Sequence, residues 1–395
     1  MNKLFFIVDL SNIKFFIGYK SLIDDFSREL GIINFLDISK ILKKENLSNK
    51  KIDKFSNNII QPNSYEELKV FLKQNKNLIY FYGISNNLEY FKINYYLSKF
   101  QIKTFLVSNL GYNPISFNIS YKKNFIRNFN IFFKLRFKVY YLRILSIFGL
   151  TPKIDYFFEA SNFIYQSVQE GLSNKLKKTL PFFDFSYYKK IIKINSKHFD
   201  AVFYSKYKTS EKYIVFIDGI IDHKDRIIRE GQVSDSIKKK YFTNLRLVLN
   251  NYKKIFNKEI IVCLHPKNNV IDTDYNFKDF KCVKYETEKY ISEAFVVFFH
   301  ESSAIIQAIA QKKRIVSLYG DVMGEYINNR CKMYSSILKT HKINLDNPQL
   351  ENNSDIIKKI NNSINGYDEY SKMNIVNDPS KSGIIQVIEY LNLSS

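Results

Sequence analysis

Short apolar runs alternate with longer helix-like stretches along the chain, and this alternation restricts the possible folds more than any other feature. Both faces of the runs are apolar, as expected for strands that are covered by helices on both sides. Strands that alternate with helices predict parallel α/β sheets. The predicted strands are Leu4–Asp9, Ile33–Asp37, Leu78–Gly83, Thr104–Ser108, Asp155–Glu159, Ala201–Tyr204, Tyr213–Asp218, Glu259–Leu264, Lys281–Lys284, Phe295–Phe299 and Arg314–Leu318.

The alternation occurs twice, and the polar stretch Ser205–Lys212 separates the two sets. We therefore predict an α/β protein with two doubly wound Rossmann-like domains facing a cleft, residues 1–205 and 206–395. Helices are predicted at Ser64–Gln74 and Asp235–Ile255, and a final helix at Gly383–Leu393 that can cross back to the first domain. Ligands of such sheets bind beyond the C-terminal ends of the strands, so the residues after each strand carry the most weight.

Composition excludes several classes of protein. With 45% hydrophobic residues the chain can bury sizeable cores, which excludes wholesale disorder. Cys263, Cys282 and Cys331 lie far apart without a CxxC pair, which excludes a disulfide scaffold and fits a reducing cytosol. No stretch reaches the roughly 20 apolar residues of a membrane span. We expect a cytoplasmic protein, soluble or attached to the inner face of the cytoplasmic membrane.

The first motif is Asp218-Gly219, at the end of a predicted strand. A carboxylate at this position can act as a general base on an acceptor hydroxyl or bind a substrate. Asp and Gly are also ordinary turn residues, so a simple strand-terminating turn is the alternative. Asp222 and His223 follow closely.

The second motif is His265-Pro266-Lys267, which follows the apolar run Glu259–Leu264 directly. Pro266 fixes the backbone, so His265 is held at the end of the strand. The imidazole can donate a hydrogen bond to a phosphate or to a leaving nucleotide, and Lys267 adds positive charge. The alternative is a histidine that only ends a strand.

The third motif is His300-Glu301-Ser302-Ser303, between a strand and a predicted helix. Helix N-termini bind phosphate readily through free N–H groups and a partial positive charge. A serine that only caps the helix is the alternative. The chain contains neither GxGxxG nor GxxxxGK[ST], so a classical dinucleotide fingerprint and a P-loop are excluded.

In this order, the three motifs resemble those of bacterial sialyltransferases and polysialyltransferases of the GT-B architecture, which carry an acidic-Gly, an HP and a Ser-Ser/Thr motif. The chain is also similar to Kdo transferases and to proteins of capsule, lipopolysaccharide and O-antigen clusters. The resemblance covers mainly Tyr213–Leu318. It implies a glycosyltransferase that moves a sugar, with CMP-linked sialic acid or Kdo favoured over UDP- or GDP-hexoses, to a glycan or lipid-linked acceptor.

The resemblance also implies roles for residues. Asp218 would be the base, His265 a ligand of the donor phosphate or an acid, and Ser302 and Ser303 phosphate ligands together with Lys267. The chain departs from the family pattern because Ile217 stands where a second carboxylate is usual, and because the motif opens the second domain. The substitutes considered for the acidic role are Asp222, His223, His300 and Glu301. The resemblance implies no cofactor besides the donor and no metal; Asp272-Thr273-Asp274 matches DxD by letters but lies in a polar loop.

The segment Tyr121–Leu150 carries seven basic residues and no acidic one. In a single helix, with 100° between successive residues, four of its basic residues fall within about 60° of each other. A basic, aromatic amphipathic helix is typical of membrane-surface elements. The alternative is a packed helix with a solvated basic edge. The four residues of the predicted membrane face are Lys123, Arg127, Lys134 and Lys138.

Three other functions remain open at this point. A phosphotransferase that uses CDP-glycerol would share the fold, the His-Pro motif and the basic segment. A nucleic-acid-binding protein is suggested by the net charge of +22, but no RNA- or DNA-binding signature is visible, and we predict no nucleic acid partner. A degenerate, non-catalytic transferase is the third, because Asp218 lacks its acidic neighbour.

Overall fold

A computed structural model of the chain describes residues 4–11, 13–42, 58–84, 88–108, 141, 144–161, 188–205, 207–219, 231–265, 277–300, 302–349 and 353–393. The chain divides into two compact units. Unit 1 consists of Met1–Asn109, Phe125–Asn195 and Asp378–Ser395, and unit 2 of Leu110–Asn124 and Ser196–Asn377.

Unit 1 contains a parallel sheet of seven described strands. They are β1 (Leu4–Val8), β2 (Asn34–Asp37), β3 (Asn58–Ile60), β4 (Ile79–Tyr82), β5 (Lys103–Ser108), β6 (Ile154–Glu159) and β7 (Tyr188–Lys193). Their order in the sheet is β3-β2-β1-β4-β5-β6-β7. The main described helices of this unit are α1 (Ile13–Leu30), α2 (Tyr65–Gln74), α3 (Phe91–Lys99) and α11 (Gly383–Leu391).

Unit 2 contains a parallel sheet of six described strands. They are β8 (Tyr213–Ile217), β9 (Glu259–Leu264), β10 (Lys281–Lys284), β11 (Ala294–Phe299), β12 (Arg314–Tyr319) and β13 (His341–Asn344), in the order β10-β9-β8-β11-β12-β13. The main helices are α4 (Lys197–Phe203), α5 (Asp235–Phe256), α6 (Thr287–Ser292), α7 (Ile305–Ala310), α8 (Gly324–Leu338), α9 (Asn353–Asn362) and α10 (Tyr367–Asn374).

Both faces of each sheet are buried, because successive side chains of a strand point to opposite faces. In β8, Phe216 packs into the same core cluster as Leu245 of α5, while Val215 and Ile217 belong to the cluster on the other face. Every residue of β1 is buried in the same manner. The prediction of two doubly wound α/β sheets is confirmed.

The division between the units lies between residues 195 and 196, whereas the sequence placed it between 205 and 206. The reason is α4, which the sequence assigned to the first domain: Phe199 of this helix packs against a core cluster of unit 2. The last helix, α11, belongs to unit 1, where Ile384, Val387 and Leu391 are buried in the same cluster as Phe6.

The stretch Ala201–Tyr204 is not a strand, so that prediction is wrong. Four consecutive apolar or aromatic residues fit a strand and a buried helix segment equally well. The N-cap favours the helix here. Ser196 is the N-cap of α4, and its hydroxyl accepts the N–H of Phe199 at 3.2 Å.

Asn195 joins the two places where the chain leaves and re-enters unit 1. Its Oδ1 accepts the N–H of Asp378 at 2.9 Å, and its Nδ2 donates to the carbonyls of Asp378 and Lys381 at 2.6 Å each. Its own N–H donates to Gln386 of α11 at 3.1 Å. One fully buried side chain thus fixes the return of the C-terminal helix.

Among the described residues, no helix is both long and apolar enough to cross a membrane.

Candidate functional site

The sheet of unit 2 reverses its strand order at β8, which has β9 and β10 on one side and β11, β12 and β13 on the other. In doubly wound sheets, ligands bind at such a reversal, outside the carboxyl ends of the strands. Asp218 follows β8, His265 follows β9 and His300 follows β11. The structure therefore brings one residue of each predicted motif to this edge.

Asp218 is 7% exposed and its backbone is fixed by the neighbouring strand. Its N–H donates to the carbonyl of Cys263 at 3.0 Å, which extends the β8–β9 ladder by one residue. By strand alternation its side chain lies on the same face as Phe216, the face covered by α5. The carboxylate is thus held close to the core, at the edge where ligands of such sheets bind.

His265 is half-buried at the end of β9. Its backbone N–H donates to Oδ2 of Asp218 at 3.4 Å, a long contact that joins the first and second motifs through the main chain. The first and second motifs therefore lie next to each other at the ends of β8 and β9.

His300 is buried and both of its ring nitrogens are engaged. Nδ1 lies 2.9 Å from the carbonyl oxygen of Leu318, and Nε2 lies 2.7 Å from the hydroxyl of Tyr241 on α5. Burial lowers the pKa of His300 to about 4, although the Leu318 carbonyl opposes the shift. The imidazole is neutral at pH 7 and only 1% exposed, so it supports the site from within the core.

Ser302 and Ser303 lie in the turn that precedes α7, which begins at Ile305 with Ala304 as its N-cap. The hydroxyl of Ser302 accepts the N–H of Ala304 at 3.2 Å, and its carbonyl accepts the N–H of Ile305 at 3.3 Å. Ser303 is exposed. The two serines therefore lie in the turn directly before the helix. The sequence had instead predicted them at the start of the helix.

Several predicted residues lie outside the described part of the chain. The site residues among them are Asp222, His223, Lys267 and Glu301, and the residues of the predicted membrane face are Lys123, Arg127, Lys134 and Lys138.

Unit 1 has the same reversal of strand order, between β2 and β4 around β1, and carboxylates that the sequence analysis did not select lie there. Asp9 follows β1 and accepts the hydroxyl of Tyr90 at 2.9 Å and the hydroxyl and N–H of Ser11. Asp37 ends β2 and accepts the Nε2 of Gln61 at 2.6 Å. The rule that selected Asp218, a carboxylate after an apolar run, would also have indicated Asp9.

Glu159 ends β6 at the same edge of the unit 1 sheet and is 1% exposed. Its Oε1 accepts the N–H of Ser161 at 2.9 Å, while Oε2 is buried with no hydrogen-bond partner among the described residues. Burial raises the pKa of Glu159 to about 7, and hydrogen bonds from Ser161, Ser108 and Ala160 only partly oppose this. A buried carboxyl with such a pKa is destabilising when ionised.

Within the described ranges, no group of three or more His, Cys, Asp or Glu side chains is arranged to hold a metal ion.

No protein-family model matches the chain, and no curated protein matches its sequence. Solved structures resemble it in fold. MnaA of S. aureus in a co-structure with UDP is 12% identical, with a TM-score of 0.47 over 100% of this chain and 98% of that one. A glycosyltransferase from Rickettsia africae is 11% identical, with a TM-score of 0.47 over 100% and 99%. A variant of the wall teichoic acid polymerase TagF is 13% identical, with a TM-score of 0.44 over 99% and 88%. At these values the likeness does not extend to activity or substrate.

Proposed function

We propose that the chain is a glycosyltransferase of the GT-B type, and that unit 2 binds its nucleotide-activated sugar donor. One observation carries the proposal: Asp218, His265 and the Ser302–Ser303 turn follow three neighbouring strands at the point where the strand order reverses. Doubly wound sheets bind nucleotides at this point. The residue types found there are suited to binding a phosphate and accepting a proton.

The donor phosphate would be bound by the residues after β9 and β11. A half-buried imidazole at His265 can donate a hydrogen bond to a phosphate oxygen, and hydrogen bonds with a charged partner are about twice as strong as neutral ones. The hydroxyls of Ser302 and Ser303 and the ammonium group of Lys267 would add further donors. These groups would stabilise the negative charge that develops on the leaving nucleotide.

Asp218 would act as the base in the transfer. The oxygen of an acceptor hydroxyl forms a bond to the anomeric carbon, and the bond from this carbon to the phosphate oxygen breaks with its electron pair. The hydroxyl proton passes to the carboxylate of Asp218. The acceptor, a glycan or a lipid-linked sugar, is assigned to unit 1. The resemblance of the motifs to those of sialyltransferases and Kdo transferases favours a CMP-linked acidic sugar as the donor and surface polysaccharide as the product.

The experiment that tests this proposal is a thermal-shift screen of the whole chain with CMP, CDP, UDP and GDP. A ligand that binds only the folded state raises the unfolding temperature according to its saturation. We expect CMP to stabilise most; stabilisation by UDP or GDP alone would change the donor, and stabilisation by none of the four would contradict nucleotide binding.

Product analysis separates the two transferase chemistries. With a CMP-sugar and an oligosaccharide acceptor, a glycosyltransferase releases CMP and adds the mass of the sugar. A phosphotransferase that uses CDP-glycerol also releases CMP, but only it transfers radiolabelled phosphate to the product. Labelled product would therefore replace the glycosyltransferase proposal with the phosphotransferase.

We also propose that unit 1 attaches to the inner face of the cytoplasmic membrane through the segment Tyr121–Leu150. The described end of this segment exposes three apolar or aromatic side chains, Tyr141 by 40%, Ile144 by 47% and Phe148 by 70%. Ile144 and Phe148 are four residues apart in or next to a helical turn at residues 144–147, a spacing that places them on one face. Leu145 is buried and anchors that turn to the unit. An exposed apolar face within a strongly basic segment is typical of elements that bind anionic membranes.

A further inference from the structure

Asp218 and His300 are neighbours across two paired strands. Phe216 of β8 is in register with Phe298 of β11, and Ile217 with Phe299. Asp218 and His300 are the next residues along the two strands and continue this register. Neighbouring strands lie about 4.8 Å apart. Phe216 and Phe298 are buried in the same cluster on the α5 face. By alternation, Asp218 and His300 extend towards that same face.

Tyr241 of α5 contacts His300 and lies on the face of the sheet towards which Asp218 extends. Its hydroxyl is 2.7 Å from Nε2 of His300, and the two rings are 5.6 Å apart. The pKa of Tyr241 is raised by burial first and by the negative charge of Asp218 second. Burial and the negative charge of Asp218 therefore both favour the protonated phenol.

The hydrogen bonds of His300 fix where the Tyr241 proton points. The Leu318 carbonyl can only accept, so Nδ1 of His300 carries a hydrogen. The imidazole is neutral at pH 7, because burial lowers its pKa to about 4, and its Nε2 is therefore an acceptor. The hydroxyl of Tyr241 has one proton and donates it to Nε2. It cannot donate the same proton to Asp218.

We propose that Tyr241 is a positioning residue for Asp218: His300 accepts the Tyr241 proton, so the phenol oxygen presents lone pairs, not a proton, to the carboxylate. A carboxylate that received the Tyr241 proton in a hydrogen bond would be a weaker base. The His300–Tyr241 pair thereby keeps Asp218 able to accept a proton from the acceptor hydroxyl. This inference rests on the proposed role of Asp218 as the base.

Other titratable groups near this contact come from two further elements. The thiol of Cys331 on α8 donates to the backbone carbonyl of His300, and only its thiolate form would raise the pKa of Tyr241 further. His265, after β9, approaches Asp218 through its backbone N–H. Tyr241, His300, Cys331 and His265 are therefore titratable residues near Asp218.

The tautomer of His300 is tested directly by ¹⁵N NMR of the whole chain labelled on histidine. Its signals are assigned by elimination, with single substitutions of the other four histidines, His198, His223, His265 and His341. We expect a neutral ring with hydrogen on Nδ1 at pH 7. A ring with hydrogen on Nε2 would overturn the inference and leave the proposed function untouched. This readout does not depend on activity.

The functional consequence is tested by the pH dependence of kcat/KM in a pair of variants. His300→Phe removes the acceptor, so the Tyr241 proton can turn to Asp218, and the acid limb of the profile should move to lower pH by about one to two pH units. In His300→Phe/Tyr241→Phe there is no proton to redirect, and the acid limb should return towards that of the parent. A purely structural role predicts no such return.

Folding is followed in parallel by thermal unfolding. If His300→Phe does not fold, Tyr241→Phe and the NMR tautomer of His300 still test the inference. Tyr241→Phe removes the phenol proton altogether, so no proton is freed to bond to Asp218. An acid limb that moves down in Tyr241→Phe would then contradict the inference. An Asp218→Asn variant with parental kcat/KM would instead contradict the proposed function, which separates the two failures.

Discussion

The backbone N–H of His265 donates to the carboxylate of Asp218 across 3.4 Å, so the residues that follow β8 and β9 are joined through the main chain. This contact does not need the imidazole. A change of the His265 side chain can therefore remove its proposed phosphate contact while the backbone donor to Asp218 remains.

His265→Ala is expected to lower kcat/KM at least tenfold with little change in unfolding temperature. The reason is the loss of one hydrogen bond to a charged phosphate, about 1.5–3 kcal/mol. The matched control is His341→Ala, since His341 is also half-buried but begins β13, at the opposite edge of the same sheet. Equal activity of the two variants would remove His265 from the site.

Ser302→Ala/Ser303→Ala is expected to weaken nucleotide binding more than tenfold, since up to two hydrogen bonds to phosphate are lost at about 1.5–3 kcal/mol each. Binding is measured by calorimetry with the nucleotide that the thermal-shift screen selects. The control is Ser335→Ala/Ser336→Ala, an adjacent serine pair in the last turn of α8. If the Ser302/Ser303 variant loses only thermal stability, the serines serve the turn before α7 and not the ligand.

Glu159→Gln is expected to stabilise unit 1 at pH 8 but not at pH 4.5. The folded pKa of Glu159, about 7, lies above the usual glutamate value of 4.5, so the folded state binds the proton more tightly than the unfolded state. The contribution of Glu159 to stability is therefore fully present below about pH 4.5 and is lost as the pH rises to about 7. The loss amounts to about 3 kcal/mol.

Denaturant unfolding of parent and Glu159→Gln at pH 4.5, 6 and 8 measures this difference. Glu369→Gln is the control, because this glutamate is exposed on α10. A constant difference between parent and Glu159→Gln at the three pH values would show that the carboxyl is not destabilised by ionisation in the folded protein.

Asn195→Ala is expected to destabilise unit 1 by about 2–4 kcal/mol. It removes the side-chain partner of the Asp378 N–H and of the Lys381 carbonyl, and one of the two partners of the Asp378 carbonyl, which also accepts from Gln386 at 3.4 Å. Each lost buried bond is worth about 1 kcal/mol or more. Asn195→Asp should also destabilise, because a carboxylate cannot donate to the two carbonyls. Denaturant unfolding measures both, with the exposed Asn63→Ala as control. Parental stability in both variants would mean that α11 is held by its apolar face alone.

The sequence predicts the central strands well because both of their faces are apolar. Glu259–Leu264 agrees residue for residue with β9. The outer strand β10 is also predicted with its bounds, Lys281–Lys284, although only Val283 of it is buried. The strands that were missed, β3, β7 and β13, are the outer strands of their sheets, and they are short or carry polar residues such as Lys189. An edge strand buries less surface, so its sequence carries a weaker apolar pattern.

In the candidate site too, the sequence reveals residues that follow an apolar run and misses those that depend on tertiary packing. Asp218 and His265 could be predicted because each follows an apolar strand directly. Tyr241 could not, because its role depends on the part of the sheet that α5 covers, which is set by tertiary packing. His300 shows the opposite error: its position after β11 suggested an accessible group, but the alternation of β11 places it in the core next to Phe298.

The last prediction concerns the membrane. If the segment Tyr121–Leu150 binds an anionic surface, the chain should sediment with liposomes that contain phosphatidylglycerol at low salt and be released as salt rises. Each Lys or Arg near such a surface contributes about 1 kcal/mol, and screening at 0.15 M salt limits the range of these charges to about 8 Å. The variant with Lys123, Arg127, Lys134 and Lys138 changed to Gln should stay in the supernatant.

A second variant separates the apolar contribution from the charge. Ile144→Ser/Phe148→Ser removes the two exposed side chains that lie one turn apart and should weaken sedimentation at every salt concentration, because the area that inserts between lipids is lost. Val70→Ser, an equally exposed apolar position on α2, is the control. Both membrane variants should keep parental nucleotide binding, since the donor is assigned to unit 2. If they sediment like the parent, the segment does not attach the chain to the bilayer, and the acceptor is then expected to be a soluble glycan.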